Sequence, residues 1–440
     1  MKRYIEKALL EWKNKGNKIP LLVRGARQVG KSYTIETFGT KYFKNIISIN
    51  FELTPNLKEC FQNLKPQDII NKLQLLLNVH ITNDCLIFLD EIQECPSAII
   101  SLRYFKELMP QQPVIGAGSL LEFSFKQEDF RFPVGRVSFI NMEPMSFFEF
   151  LDASGYTNLK EHIINHRDIL PIDIAIHEKL LDLLRIYLII GGMPEVVKEY
   201  VSSLNFFDCQ RIQTGLLETY RNDFGKYANL SHHKYLQKVF DAAPRLTGQR
   251  IKFVNIDREV KSRDLRNAIE LLSMARVVRP VYASKASGIP LNSQINLQKI
   301  KLTFLDIGLM QKACGLQAET QKAKDIMQVN AGAVAEQFVA QELRAYMDPF
   351  QDNQLFFWAR DKRRSMAEVD YLLTRNKYII PIEVKAGRSG RLKSLHLFLE
   401  QKKSALGIKL SVENISLQDR ILSLPLYMVS QIPYIADKLI

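Results

Sequence analysis

Short apolar runs separated by helical patterns fill the first 150 residues. Residues 19–24 predict a strand that runs into a glycine loop, and 46–51, 85–89, 114–116 and 137–140 predict four more. Helical periodicity lies between them, as at 32–37 and 97–108. Apolar strands alternating with helices imply a parallel sheet covered on both faces. From 155 to 230 the pattern is helical, with helices predicted at 177–190 and 194–204. Gly191-Gly192 stops the first and Pro194 starts the second. Between 234 and 290 come a helix at 235–246, a helix at 262–275 and a strand at 277–283, an order that suggests a winged-helix-like module. A last unit has a helix at 333–347 and strands at 355–359, 368–374 and 378–384. The expected division is 1–154, 155–233, 234–322 and 323–440, in line with the two to four units expected of 440 residues at roughly 100–200 residues per domain.

Bulk properties narrow the class. Hydrophobic residues make up 46% of the 440, enough for packed cores, and the 24% charged fraction is ordinary. Sixty Lys and Arg against 47 Asp and Glu give a formal charge of +13. That excess suits an anionic partner such as nucleic acid or nucleotide, or else a solvated basic surface. Five scattered cysteines without a CxxC pair fit a reducing cytosol rather than a disulfide scaffold or zinc site. The N-terminus reads as an amphipathic helix rather than a signal peptide, and no apolar stretch approaches the roughly 18 residues of a membrane span. A cytoplasmic protein with no membrane partner is expected. His162 and His166 stand at i, i+4 without an evident third ligand, and His232-His233 are adjacent, so none is read as a metal site.

Gly25-Ala26-Arg27-Gln28-Val29-Gly30-Lys31-Ser32 fits the phosphate-loop pattern G-x-x-x-x-G-K-[ST] without a mismatch, with a strand before it and a helix after it. The glycines let backbone N–H groups curl around phosphates, Lys31 reaches the β and γ phosphates, and Ser32 offers a hydroxyl to magnesium. The following helix aims its positive dipole end at the anion. Cys85-Leu86-Ile87-Phe88-Leu89-Asp90-Glu91 reads as a buried strand ending in two carboxylates, at the end of a parallel sheet where ligands bind. Asp90 is the candidate metal-side carboxylate and Glu91 the candidate base that polarises water. Gly118-Ser119 is either a γ-phosphate sensor or a plain Gly-Ser turn. Arg136, ranked above Arg131, is a candidate arginine finger, acting in cis or from a neighbouring subunit, or else a structural surface residue.

Residues 24–32, 86–93, 117–119, 135–136 and 144–150 resemble the AAA+ ATPases of bacteria and archaea that carry a C-terminal domain of uncharacterised function. Gly191-Gly192-Met193-Pro194-Glu195 resembles that family's helical-lid motif, and Leu305-Asp306-Ile307-Gly308-Leu309 its junction into the C-terminal unit. The resemblance implies a P-loop sheet in which another strand separates the Asp90 strand from the Lys31 strand. Many AAA+ proteins place Asn where this chain has Ser119.

The last unit has a constellation of its own. A two-residue turn at Asn376-Lys377 makes paired residues sum to 753, which sets Asp370 opposite Glu383, with Lys385 on the same strand face as Glu383. Two opposed carboxylates need compensation, for which a divalent cation is the obvious candidate. The arrangement resembles the PD-(D/E)XK nucleases of restriction-endonuclease type. Asp370, Glu383 and Lys385 match their core signature, and Glu336 matches the helical acid of many members. The resemblance implies magnesium on the carboxylates, with Lys385 assisting water attack on a phosphodiester. An inactive member of that fold, or a salt-bridged hairpin, would carry the same residues. Pro381 suits an edge or a bulge, and a bulge would break the register. Lys362, Arg363, Arg364, Arg375, Lys377, Arg388, Arg391 and Lys393 surround this unit near Phe356, Phe357 and Trp358. They form a nucleic-acid surface if they cluster in space, and a solvated face otherwise. The expectation is thus an α/β protein: a P-loop sheet with a helical lid, a winged-helix-like module and a nuclease-like domain. It would bind ATP and Mg2+, with nucleic acid, further copies of itself or a partner protein as candidate partners.

Overall fold

The computed structural model describes residues 1–16, 18–125, 135–227, 230–315, 331–352, 354–360, 367–387 and 392–440. The chain forms two compact units, Lys2–Glu143 with Met347–Asp352, and Pro144–Tyr346 with Asn353–Ile440. The first therefore ends before the 154 expected from sequence and takes in a short later segment.

Five strands form the sheet of the first unit: β1 (Leu21–Arg24), β2 (Asn45–Asn50), β3 (Cys85–Asp90), β4 (Val114–Gly118) and β5 (Ser138–Asn141). Their order is β2-β3-β4-β1-β5 and every pair is parallel. β4 separates the Asp90 strand from the strand that enters the phosphate loop, as the resemblance implies. β3 and β4 are buried at every position, which is why they read as unbroken apolar runs. Helices Lys31–Tyr42, Pro66–Leu77 and Pro96–Leu108 lie between strands. The core on one side gathers Ile47, Ile49, Leu73, Ile87, Leu89, Leu102 and Phe105.

Eight strands form the sheet of the second unit. They are β6 (Val278–Ser284), β7 (Ile295–Phe304), β8 (Leu355–Ala359), β9 (Glu368–Arg375), β10 (Tyr378–Val384), β11 (Gly407–Ser411), β12 (Ser416–Gln418) and β13 (Ile421–Pro425). The order is β12-β13-β11-β10-β9-β8-β6-β7. Helix Ala331–Tyr346 precedes β8. β8, β9 and β10 run antiparallel, and helix Lys393–Lys402 then crosses to β11, which lies parallel to β10. The helices expected near 235–246 and 262–275 are Leu230–Leu246 and Ser262–Met274, and β6 and β7 follow as an antiparallel hairpin. This hairpin is not a free wing: β6 pairs with β8, so helices, hairpin and C-terminal strands share one sheet. The boundary expected at 322/323 lies outside the described residues.

The β9–β10 pairs sum to 753, from Tyr378 opposite Arg375 to Ile382 opposite Tyr371. Asn376, with φ 53, turns the hairpin. Pro381 sits in register opposite Leu372 without a bulge, and pairing of β10 with β11 begins only at Ile382. The missing N–H therefore interrupts neither ladder.

Candidate functional site

The phosphate loop is built so that only its own residue types fit. A Cβ on Gly25 would lie 2.5 Å from the Met142 carbonyl oxygen. Gly30 takes φ 91 and caps the helix that begins at Lys31, and Gln28 holds a left-handed φ of 61. Arg3 braces the loop from behind, donating to the carbonyls of Val29 (2.8 Å) and Glu143 (2.6 Å). Lys31 is buried, with its ammonium folded back onto the carbonyls of Gly25 (3.1 Å) and Ala26 (2.9 Å). Arg27 stands near Glu52 at 3.8 Å.

The strand end opposite completes the site. Ser32 Oγ donates to Asp90 Oδ2 at 2.8 Å, and Asn50 Nδ2 donates to the same oxygen at 3.1 Å. A hydroxyl and a carboxylate oxygen brought side by side are the hard donor pair that magnesium takes. Glu91 adopts φ 45 and ψ 47, a left-handed conformation that turns the chain sharply just after β3. Gln93 Nε2 donates to Glu91 Oε2 at 2.6 Å. A Cβ on Gly118 would come within 2.1 Å of Gln93 Oε1, so the glycine at the end of β4 leaves room for this contact. Ser119 follows directly and is buried.

Arg136 lies elsewhere. It pairs with Glu107 at 2.8 Å and is 44% exposed, just before β5 begins at the level of Leu21, the start of β1. That is the sheet end away from the phosphate loop, so the role in cis is corrected: Arg136 does not reach the phosphates of its own chain. Arg131 lies outside the described residues.

In the second unit, the constellation read from sequence comes together around a residue the sequence did not suggest. Lys301 of β7 is 2% exposed, and its ammonium lies 2.6 Å from Glu368, 3.1 Å from Glu336 and 3.3 Å from Asp370. The other Asp370 oxygen accepts the Val384 N–H at 2.9 Å, and Arg250 bonds the second Glu368 oxygen. Lys385 reaches one oxygen of Glu383 at 2.7 Å, while the buried Oε2 of Glu383 has no hydrogen-bond partner. Burial, with Asp370 adding and Lys301 opposing, pushes Glu336 up to about 8; burial and then Asp370 push Glu383 up to about 7. Burial alone would lower Lys301, but Glu336, Asp370 and Glu368 outweigh it and hold the ammonium well above its usual value. Among the described residues, no group of three or more His, Cys, Asp or Glu is disposed to hold a metal ion.

The surrounding basic residues are partly committed. Arg375 pairs with Asp437 through two bonds. Lys362, Arg363, Arg364, Arg388 and Arg391 lie outside the described residues. Phe357 and Trp358 are buried, so they belong to the core and not to a stacking platform.

Residues 17–151 match the family model described as an AAA domain. This segment is an AAA-type P-loop domain. Residues 181–320 and 331–428 match two further families, described as domains of unknown function (DUF8612 and DUF4143). Among solved structures, the chain is similar to the Aeropyrum pernix ORC2 protein in its ADPNP and ADP complexes, at 11% identity over 73% of this chain and 92% of that one, with a TM-score of 0.33. It is similar to Cdc6p from Pyrobaculum aerophilum at 11% identity over 72% and 91%, TM-score 0.24. DnaA from Aquifex aeolicus with AMPPCP gives 13% over 62% and 85%, TM-score 0.21. Among curated proteins none matches by sequence. In this segment the structure brings the loop's Ser32 to Asp90 and sets Arg3, Asn50 and Gln93 beside the loop, Asp90 and Glu91 through contacts far along the chain or through a turn, which the sequence pattern did not suggest. No helix among the described residues is long and apolar enough to cross a membrane.

Proposed function

We propose that this chain binds ATP with magnesium, hydrolyses it in the AAA domain, and couples hydrolysis to a nucleic-acid-binding C-terminal half of nuclease-like fold. The observation that carries the ATPase reading is the Ser32–Asp90 hydrogen bond at the mouth of the phosphate loop, with Glu91 one residue on and held by Gln93. Gly25, Ala26, Arg27, Gln28, Val29 and Gly30 supply the backbone cradle. Lys31 exchanges its loop carbonyls for the β and γ phosphates. Ser32 and Asp90 would hold magnesium, which supplies charge neutralisation at the phosphate oxygens. Glu91 accepts a proton from the water as that water bonds to the γ-phosphorus, and the bond to the β–γ bridging oxygen breaks to release ADP. Ser119, which follows β4 directly, would sense the γ-phosphate. Arg136 serves in trans, from another copy or a partner protein. Residues 155–233 are the proposed helical lid, and a reducing cytosol the proposed setting.

Lys31→Ala should abolish nucleotide binding measured by titration with a fluorescent ATP analogue. Glu91→Gln should bind normally and turn over at least ~100-fold more slowly, the usual scale for a general base. Wild-type turnover by Glu91→Gln would remove Glu91 from the mechanism.

The ion-paired cluster around Lys301 favours a second reading of the C-terminal half, as a nucleotide-dependent scaffold or switch that binds without cutting. Incubation of single- and double-stranded DNA and RNA with wild type and Asp370→Ala, in magnesium or manganese, separates the two. Equal background from both proteins supports the scaffold; Asp370-dependent cleavage supports the nuclease.

A further inference from the structure

The likeness to PD-(D/E)XK nucleases implies a divalent ion among Glu336, Asp370 and Glu383. The residues present do not fit one as they stand, because a cation is already there. An ammonium has three N–H donors, and Lys301 faces three carboxylates, one each from Glu336, Glu368 and Asp370. It is not a loose side chain that has strayed in. The far end of β7 is fixed by Gln337, which bonds both the N–H (2.8 Å) and the carbonyl (2.7 Å) of Phe304, and by Arg344, which donates to Thr303 Oγ1 at 2.8 Å. On the near side, Ile251 N–H donates to the Ile300 carbonyl at 2.8 Å. The strand delivers Lys301 to one place.

A second observation shows that the cluster is built toward a cation. Glu383 is only 6% exposed, and its Oε2 is buried without a hydrogen-bond partner beside Asp370. An orphaned carboxylate oxygen is costly unless positive charge stands close by. Lys385, bonded to the other oxygen of Glu383, and Lys301, bonded to the neighbouring Asp370, supply that charge. A divalent ion entering this space would have to displace the ammonium or sit against it. The carboxylates Glu336, Glu368, Asp370 and Glu383 fall within the segment matched at 331–428, whereas Lys301 falls within the segment matched at 181–320.

We infer that the acidic cluster of the second unit is a cation site whose cation is the chain's own Lys301 ammonium, carried in by β7 in place of a divalent metal. The inference rests on the nuclease-like reading only for naming the ion displaced; the ammonium contacts stand without it.

The test uses the full chain without nucleotide and manganese alone, with free Mn2+ followed by electron paramagnetic resonance. Wild type should show no Asp370-dependent site. Lys301→Met should gain one site, binding at least ~10-fold more tightly than anything in wild type, because three carboxylates lose the ammonium they share. Adding Asp370→Asn should remove that site. Should Lys301→Met fail to fold, Lys301→Gln keeps the length and a polar head and takes its place. An Asp370-dependent manganese site in wild type overturns the inference without any lysine variant, and so does a folded lysine variant that gains none. Cleavage is scored separately. A Lys301→Met protein that holds manganese and cuts no nucleic acid leaves the inference standing and defeats the nuclease reading.

Discussion

Gln93 ties the proposed ATPase site to a side chain outside the phosphate loop. Its amide nitrogen holds one oxygen of Glu91 at 2.6 Å, while Glu91 itself sits in a left-handed conformation. Removing one such hydrogen bond is worth about 1.4 kcal/mol, or about tenfold in rate if it orients the base. Gly118 makes the contact testable without touching either partner. A methyl there would come within 2.1 Å of Gln93 Oε1, and the flexible amide would swing off Glu91 to escape it. Gly118→Ala should therefore lose about tenfold in kcat with ATP affinity unchanged, since the phosphate loop is untouched. Gln93→Ala should match it. Gly25→Ala behaves differently, because its methyl would meet a backbone carbonyl at 2.5 Å that cannot rotate away; binding should fall along with turnover. A Gly118→Ala enzyme with full kcat would show that Gln93 does not position the base. Of these residues, Gly25 to Ser32 and the Asp90-Glu91 pair were legible in the sequence because their chemistry fixes their spacing. Gln93 and Arg3 were not, because a glutamine after a turn and an arginine near the start of a chain have no such signature.

At the scale of elements, helix Ala331–Tyr346 organises the second unit through polar side chains. Glu336 meets Lys301, Gln337 clamps Phe304, Gln341 accepts the Ile307 N–H at 2.9 Å and Glu342 accepts the Phe147 N–H at 2.9 Å. Three elements, β7, helix Ile307–Cys314 and helix Phe147–Ala153, thereby depend on this one helix. Polar residues on a buried face are why the pattern showed a helix here but not what it holds together. The apolar strands β3 and β9 were legible, whereas β7 was not. INLQKIKLTF alternates polar and apolar residues, yet its second half is buried at every position, Lys301 included. Glu342 also carries a pH signature. Burial pushes its carboxyl up to about 8, from an ordinary value near 4.5. Between those values the folded protein binds a proton that the unfolded chain has released. Stability from this group is thus full at pH below about 4.5 and is lost as pH rises toward 8. Glu342→Gln keeps the acceptor for Phe147 and never ionises. Its stability should equal wild type near pH 5 and exceed it by on the order of a few kcal/mol near pH 8.5. Denaturant unfolding at the two pH values checks this, and parallel wild-type and variant curves across the range would mean that Glu342 stays charged when folded.

The charge of the whole molecule bears on what the ATPase acts upon. Seven buried Lys and Arg stand against six buried Asp and Glu among the described residues, so the interior is close to neutral. The formal excess of +13 is therefore carried outside these cores. Part of the outer charge is spent in pairs such as Arg375–Asp437, Arg221–Asp241 and Arg136–Glu107, which take one charge of each sign and leave the excess unchanged. A surface excess of this size can neutralise several phosphates of a nucleic acid and release their counterions. Contact with only four gives a slope of about −3.6 in log K against log salt on duplex DNA. Affinity for a short duplex should then drop by about 100-fold between 50 and 200 mM salt. Fluorescence anisotropy of the full chain on one labelled duplex, repeated across that range with and without ATP, measures the slope directly. An ATP-dependent change in slope would mean that nucleotide state alters how many phosphates are touched, which is the coupling proposed above. The same slope at every nucleotide state would separate binding from hydrolysis. The absence of salt-sensitive binding even at 50 mM would turn the surface charge into a solvated face and make the chain an ATPase that acts on proteins alone.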